Sequence, residues 1–202
     1  MLRFSHNSNL VKLVSYVRFW TAKVYFRGRL KTKGPSLIGR NCDVGIRKNG
    51  LIEFGGRVFL AGFNQLYSSG RLVFGDRISI NEYSRLVAHE SITIGDNVTI
   101  AKFVTIVDHD HAYKMENGKL CLDGYTTAPI RIGSNVLIGD KVTILKGVEI
   151  GDNVVIACNS VVNRNIPANC LVGGSPARIL RMLAEDSKTT QENFQSGSHE
   201  AQ

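Results

Sequence analysis

An aliphatic residue recurs at every sixth position along much of this 202-residue chain. The longest unbroken series is Ile132, Ile138, Ile144, Ile150, Ile156 and Val162. A helix places apolar residues every 3.6 positions and a simple strand places them at every second position, so neither explains a step of six. A coil of three short strands does, because each hexad then forms one side and its aliphatic residue points inward. The step predicts about seven coils of a parallel β-helix over residues 36 to about 166.

Turn-forming residues lie between the aliphatic positions, as the corners of such a coil require. Gly, Asp and Asn tolerate tight or positive-φ backbone better than other residues. They recur at Gly95-Asp96-Asn97, Gly133-Ser134-Asn135, Gly139-Asp140 and Gly151-Asp152-Asn153. The chain is therefore expected to form an all-β solenoid whose core is built from stacked ladders. The inward residues include Ile94, Ile100, Ile132, Ile138, Ile144, Ile150 and Ile156.

The repeat is interrupted once, over residues 107–129. This segment is too long for one side of a coil, and long excursions from a regular scaffold usually carry function. It opens with Asp108-His109-Asp110-His111. Imidazole is neutral near pH 7 and still accepts a proton, which suits it to act as a general base. His109 and His111 are therefore the candidate catalytic bases.

The N-terminal arm carries the charge of the chain. Its first 33 residues contain eight Lys or Arg and no Asp or Glu, which accounts for the net charge of +8. Because the remainder is neutral, a nucleic-acid-binding face across the domain is not expected. Residues 9–26 predict a helix with Leu10, Leu13, Val17, Trp20 and Val24 on one side. Such a helix either covers the open end of the first coil or lies on an anionic membrane surface.

The far end of the repeat is marked by Gly173-Gly174-Ser175-Pro176. A short amphipathic helix is predicted after it, from Ala177 to Leu183. The polar tail, residues 184–202, is predicted to be disordered. We therefore expect a basic amphipathic arm or cap over residues 1–35 and a β-helix domain over residues 36–183, followed by this tail.

The cysteine spacing and the hydropathy of the chain indicate where in the cell the protein is expected. The four cysteines lie far apart with no C-x-x-C pair, which favours a reducing environment over a disulfide framework. No apolar run approaches the roughly 18 to 20 residues that span a bilayer. Lys12 and Arg18 interrupt the stretch in which a signal peptide has its apolar centre. The expected location is the cytoplasm, with the inner face of the membrane as a possible site.

The hexads, the histidine-containing excursion and the end Ile166-Pro167…Gly173-Gly174-Ser175-Pro176-Ala177-Arg178 resemble the hexapeptide-repeat acetyltransferases. Galactoside, maltose and polysaccharide O-acetyltransferases are members of that family. The resemblance is strongest from Pro129 to Arg178. It implies a left-handed β-helix, a homotrimer, acetyl-CoA as co-substrate and a histidine base in a site between subunits.

The resemblance also implies residues for the acceptor site. A following Asp makes His109 similar to the histidine of the family's bend, whereas a gapless count along the preceding coil aligns the family's base with His111. Both therefore remain candidates. Asn81 matches the family's substrate-contacting Asn by the same count, and His89 is the remaining histidine of the repeat region and a second candidate for acceptor binding. The family's frequent aromatic residue in the Asn-Val-x-Ile-Gly step is Leu137 here, so ring stacking on a sugar at that place is not expected.

For the co-substrate, the resemblance points to basic and polar side chains near the end of the repeat. Arg178 and Arg181 match positions that meet the phosphates of CoA in the family, and Arg164 can join them. The full set expected to bind acetyl-CoA is Asp140, Cys158, Asn163, Arg164, Arg178 and Arg181.

The predicted function is an acetyl-CoA-dependent O-acetyltransferase that acts on a sugar or glycan hydroxyl in envelope or capsular polysaccharide biosynthesis. No resident metal is expected for that activity. Two alternatives stay open. A zinc lyase of the γ-carbonic-anhydrase kind would use His89, His109 and His111 as ligands on the same scaffold. A non-catalytic solenoid that serves binding or assembly would have no affinity for CoA.

Overall fold

The computed structural model describes residues 9–47 and 49–183 of the chain. One helix and 22 strands follow one another in that part. In chain order they are α1 Asn9–Tyr25, β1 Leu30–Thr32, β2 Ser36–Ile38, β3 Asp43–Ile46, β4 Leu51–Phe54, β5 Val58–Leu60, β6 Gln65–Ser68, β7 Arg71–Phe74, β8 Ile78–Ile80, β9 Arg85–Ala88, β10 Ser91–Ile94, β11 Thr99–Ile100, β12 Thr105–Val107, β13 His109–Glu116, β14 Lys119–Thr127, β15 Ile130–Ile132, β16 Leu137–Ile138, β17 Thr143–Ile144, β18 Glu149–Ile150, β19 Val154–Ile156, β20 Val161–Val162, β21 Cys170–Gly173 and β22 Arg178–Met182.

The strands form three sheets that make the sides of a prism. Sheet 1 has the order β1-β4-β7-β10-β15-β18, sheet 2 the order β2-β5-β8-β11-β16-β19-β21-β22, and sheet 3 the order β20-β17-β12-β9-β6-β3. Each coil contributes one strand to each sheet in turn, and the strands of successive coils pair in parallel. The predicted parallel β-helix of about seven coils is thereby confirmed, and the architecture is consistent with the left-handed form.

The interior is the set of ladders that the six-residue step predicts. The step places equivalent residues of successive coils in register, as in the pairs Ile94↔Ile132 and Ile132↔Ile150. The predicted inward residues are all buried, namely Ile94, Ile100, Ile132, Ile138, Ile144, Ile150 and Ile156. Because each coil packs only on its neighbours, this continuous apolar column is what holds the coils together.

Asparagines line the corner between sheet 1 and sheet 2. Asn97, Asn135, Asn153 and Asn169 all have positive φ, close to +57°. Their side-chain amides form a ladder from coil to coil, in which Asn97 donates to Asn135 at 2.9 Å, and Asn153 donates to Asn169 at 2.8 Å. Asn adopts this left-handed conformation more easily than branched residues do. The predicted turn chemistry therefore also supplies hydrogen bonds between coils.

The structure corrects two predictions about the segments outside the coils. Residues 109–127 form an antiparallel hairpin, β13 and β14, where only a loop was expected. The predicted helix from Ala177 to Leu183 is wrong, because β22 pairs antiparallel with β21 and extends sheet 2. Seven residues are too few for a stable isolated helix, and the unpaired edge of β21 offers backbone partners instead. The predicted disordered tail, residues 184–202, lies outside the described residues.

Helix α1 packs on the first coils through Ser15 and Phe19, both of which are buried. The Phe19 ring stacks on that of Phe54, 6.0 Å between centroids, at the start of the interior column. The apolar stripe that the sequence singles out lies on the opposite side and is exposed, Val24 for example at 73%. Among the described residues, no helix has the length and apolar character needed to cross a membrane.

Candidate active site

Two histidines lie on successive coils at the corner where sheet 3 passes into sheet 1. His89 follows β9, and His109 follows β12, which pairs with β9 one coil further along. We call this position, formed by residues 88–91 and 107–109, the histidine corner. The ordinary corner turn is replaced after His109 by the hairpin, so the interruption of the repeat and the histidines occupy the same place.

Asp108 anchors the histidine corner from inside. Its carboxylate has no solvent exposure and accepts three backbone hydrogen bonds. The N–H of His89 donates to Oδ1 at 2.8 Å, and those of Glu90 and Ser91 donate to Oδ2 at 2.7 and 2.8 Å. A buried carboxylate requires such compensation for its lost hydration. Asp108 therefore fixes the backbone on which His89 sits.

His109 is held between this carboxylate and the ring of His89. Its side chain is only 10% exposed, and Nδ1 lies 3.4 Å from Oδ1 of Asp108. That contact is not aligned as a hydrogen bond, so Nδ1 is a buried polar atom without a hydrogen-bond partner. The imidazoles of His89 and His109 stack with centroids 3.8 Å apart and planes 4° apart.

Burial of His89 lowers its pKa from the ordinary value of 6.5, and the neighbouring His109 lowers the pKa further. A buried imidazole loses hydration in its charged form, and a second imidazole in contact repels that charge. The neutral form of His89 is therefore favoured near pH 7.

Tyr125 completes the cluster and was missed by the sequence analysis. It lies on β14 opposite His111, and its ring meets His89 and His109 edge-on, at 4.8 and 5.4 Å. The His111 ring lies 4.7 Å from the Tyr125 centroid, tilted by 44°. The Asn117-Gly118 turn, both residues with positive φ, closes the hairpin. Such a dipeptide is the strongest short hairpin signal, and counting outward from it gives the observed pairs as far as Tyr113 and Leu122. A register shift then brings Tyr125 opposite His111, which the count does not predict.

The base of the hairpin is tied to the next coil. The ammonium of Lys146, which follows β17, lies 3.2 Å from Oδ2 of Asp110 and also donates to the hydroxyl of Thr126. These contacts hold both strands where they leave the solenoid. The hairpin therefore emerges in a defined direction beside the histidine corner.

Asn81 lies at a different corner from the histidines. It follows β8 in sheet 2, at the corner between sheet 2 and sheet 3. The same corner carries three stacked aromatic rings, Phe63, Tyr83 and Phe103, with successive centroids 4.9 and 5.2 Å apart. Within one chain, Asn81 and the predicted bases are therefore not brought together.

The residues expected to bind acetyl-CoA fall into three groups. Asp140 and Cys158 lie at the corner of Asn81, two and three coils further along, and Asp140 accepts a hydrogen bond from the backbone of Lys102 at 2.8 Å. Asn163 and Arg164 follow β20, at the corner that carries the histidines in earlier coils. The third group, Arg178 and Arg181, is exposed on β22 in sheet 2.

The arrangement of the cluster suits proton transfer. Three imidazoles, a tyrosine and a buried carboxylate meet beside the hairpin, and no titratable group other than histidine accepts a proton as readily near neutral pH. Within residues 9–47 and 49–183, no cluster of three or more His, Cys, Asp or Glu is arranged to hold a metal ion.

Comparison with known proteins gives partial sequence matches. The family model of the bacterial transferase hexapeptide (six repeats) matches residues 129–164. Galactoside O-acetyltransferase of Escherichia coli is 47% identical over 60 residues, which is 30% of each chain. The 2,3,4,5-tetrahydropyridine-2,6-dicarboxylate N-acetyltransferase of Staphylococcus aureus is 33% identical over 67 residues, 33% of this chain and 28% of that enzyme. The matched part thus spans about a third of these relatives.

A solved structure matches over nearly the whole chain. The hexapeptide-repeat acetyltransferase VCA0836 of Vibrio cholerae, in complex with acetyl-CoA, is 27% identical with a TM-score of 0.58. The match covers 91% of this chain and 94% of that one. Residues 129–164 thus carry the bacterial transferase hexapeptide repeat, and the chain is similar in sequence and in fold to the hexapeptide-repeat acetyltransferases.

Proposed function

We propose that this chain is an acetyl-CoA-dependent O-acetyltransferase that acts on a sugar hydroxyl, with His109 as the general base. The observation that carries the proposal is the position of His109, whose ring is enclosed between the buried carboxylate of Asp108 and the ring of His89. The similarity to an acetyltransferase that is solved with acetyl-CoA supports the co-substrate. The match to galactoside O-acetyltransferase supports a sugar acceptor.

The contact with Asp108 favours one tautomer of His109. A carboxylate next to Nδ1 attracts the proton to that nitrogen and leaves the lone pair on Nε2. Nε2 then takes the proton of the acceptor hydroxyl as its oxygen attacks the thioester carbonyl. The carbon–sulfur bond breaks, the acetyl group stays on the oxygen, and the proton passes to the departing CoA thiolate. Atoms and charge balance without a further reactant.

His109 is preferred to His111 because its surroundings fix its ring. His111 lies on an exposed strand of the hairpin and has Tyr125 as its ring contact. A general base must be held within hydrogen-bonding distance of the proton it removes. His89 and Tyr125 are proposed to position the acceptor beside His109.

We place the complete site between subunits of a homotrimer. Asn81 and the histidine corner lie at different corners of one chain. In a trimer packed side by side around an axis parallel to the solenoid, one corner of each chain faces a different corner of its neighbour. Asn81, Asp140 and Cys158 from one subunit then face the histidines of the next, with Arg164, Arg178 and Arg181 beside the CoA phosphates.

The physiological acceptor that we propose is a glycan of the cell envelope or capsule, acetylated on the cytoplasmic side. The four cysteines are free thiols, which fits a reducing compartment. The nitrogen acceptor of the Staphylococcus aureus relative makes amino sugars the first class to compare with hydroxyl acceptors.

The test is release of CoA thiol from acetyl-CoA over a panel of sugars and amino sugars. His109→Gln is expected to lower kcat about 10²- to 10⁴-fold while acetyl-CoA still raises the melting temperature of the variant. His111→Gln is the matched control and should retain most activity. Loss in His111→Gln alone would move the base to that residue. A wild-type protein that acetyl-CoA does not stabilise, and that zinc does, would overturn the acetyltransferase in favour of the lyase.

A further inference from the structure

Helix α1 is apolar on two opposite sides, and the solenoid uses only one of them. The packed side consists of Ser15, Phe19 and Ala22, followed by Phe26 just beyond the helix. With 3.6 residues per turn, the other side lies about half a turn away. Its side chains remain exposed, namely Leu10 at 56%, Leu13 at 60%, Val17 at 53%, Trp20 at 43% and Val24 at 73%.

Basic residues flank this exposed stripe. Lys12 and Lys23 border it on one side and Arg18 on the other, as the helical period dictates. The ammonium of Lys23 lies 4.6 Å from the ring centroid of Trp20, so charge and aromatic surface are adjacent. No Asp or Glu occurs before Asp43 in the chain. The helix itself therefore carries basic side chains and no acidic one.

We propose that this stripe of α1 docks on an anionic membrane surface, with its apolar side chains in the headgroup region and its lysines and arginines among the lipid phosphates. An interfacial helix combines an apolar side, flanking Lys or Arg and a Trp near the boundary. All three are present here, and the side that packs on the solenoid is separate from the side that would meet lipid. Capping the coil and binding the membrane are thus compatible.

Charge decides between a membrane and a second copy of the chain. Two copies packed through this stripe would bring two basic helices without acidic residues into contact, and like charges so placed repel. An anionic bilayer offers both an apolar layer and opposite charge. Nucleic acid offers the charge but leaves the apolar stripe unpaired.

The experiment is flotation of the full-length protein with vesicles of phosphatidylcholine alone or with phosphatidylglycerol. Binding is expected only with the anionic lipid and should decline steeply toward 1 M salt, where the screening length falls to about 3 Å. The double variant Lys12→Gln/Lys23→Gln should weaken binding about 30-fold, at roughly fivefold per charge. Val17→Ser/Val24→Ser should abolish it.

The controls are on the hairpin, where Lys119→Gln removes one positive charge and Leu120→Ser removes one exposed apolar side chain. They should bind vesicles as the wild type does. Equal binding to neutral vesicles, or equal losses in the hairpin controls, would overturn the proposal. The proposal would also be overturned if the wild type did not bind vesicles and Val17→Ser/Val24→Ser changed the oligomeric state. That result would assign the stripe to contact with a second copy of the chain. Vesicle binding needs no acetyl transfer, so its result is independent of the proposed function.

Discussion

The imidazole rings of His89 and His109 stack face to face, with their centroids 3.8 Å apart and their planes 4° apart. The two residues belong to successive coils, and a buried carboxylate that accepts from the backbone of His89 lies next to the ring of His109. The His109 ring therefore opposes a positive charge on His89. Protonation of His89 is therefore expected to affect the stability of the fold at the corner where the proposed base lies.

The first prediction concerns the pH dependence of folding. Burial and His109 lower the pKa of His89 below 6.5 in the folded chain. The unfolded chain therefore binds a proton at His89 before the folded chain does, and stability falls as the pH drops below about 6.5. Replacing His89 with Gln removes this contribution. Urea unfolding of His89→Gln should show a smaller loss of unfolding free energy between about pH 8 and pH 5 than the wild type does.

At about pH 8 histidine is neutral in both states, so the difference between the two proteins there reports packing alone and serves as the baseline. Parallel curves for the wild type and His89→Gln over the whole range would contradict the prediction.

The second prediction concerns Asp108, whose carboxylate accepts from the N–H groups of His89, Glu90 and Ser91. In Asp108→Asn the amide NH₂ faces at least one of these donors, which leaves buried polar groups without partners. We expect a loss of about 2 to 4 kcal/mol in unfolding free energy. Asp123→Asn, on the exposed hairpin, is the control and should change it by less than about 1 kcal/mol. Equal stability of the two variants would mean that the carboxylate network contributes little.

The repeat made the solenoid predictable because every hexad reports the same constraint. Ile132, Ile138 and Ile144 are assigned to three different sides of a coil by a single step, and all three are buried. A wrong assignment of one hexad is recognised from the regular spacing of the hexads on either side. The interruption was found for the same reason, since it is where the step fails.

The segments that leave the coil were predicted less well. The spacing of apolar residues in β22 predicted a helix. This spacing contains no information about the open edge of β21, with which β22 pairs in the folded chain. The contact between His89 and His109 likewise depends on coil stacking across 20 positions of sequence. Tyr125 required the pairing of β13 with β14. The Asn117-Gly118 turn predicts the hairpin, but a regular count from it places Gly124 opposite His111. The register shift between His111 and Tyr113 brings Tyr125 to that position, and the turn does not report this shift.

The third prediction tests the interior column. Ile144 has no solvent exposure and pairs in register with Ile106 and Val162 of the adjacent coils. Ile144→Ala leaves a cavity that two neighbouring coils cannot both close, so we expect a loss of about 2 to 5 kcal/mol. Leu137→Ala, at a position 45% exposed, is the control and should cost less than about 1 kcal/mol. A neutral effect of Ile144→Ala in urea unfolding would show that its register is wrong.

The fourth prediction concerns acetyl-CoA. Arg178 is exposed on β22 and is proposed to contact a CoA phosphate. A contact remote from the thioester holds the ground state and the transition state alike, so its loss raises KM and leaves kcat at saturation unchanged. Arg178→Ala should raise KM for acetyl-CoA about 10- to 100-fold, as for a charged hydrogen bond. Arg71→Ala, an exposed arginine in sheet 1, should leave KM unchanged. An unchanged KM in Arg178→Ala would remove this residue from the site.

The last prediction concerns the outer hairpin, residues 113–122, and whether the solenoid depends on it. The strands β13 and β14 pair only with each other among the described residues, and Tyr113, Met115 and Leu122 are each more than half exposed. Deleting residues 113–116 and 119–122 keeps the Asn117-Gly118 turn and brings it close to the histidine corner. Because little buried surface is lost, the melting temperature should stay within about 2 °C of the wild type. KM for the sugar acceptor should rise while KM for acetyl-CoA does not, since the hairpin emerges beside His109. A rise in both constants, or a large fall in melting temperature, would show instead that the outer hairpin supports the fold of the co-substrate site.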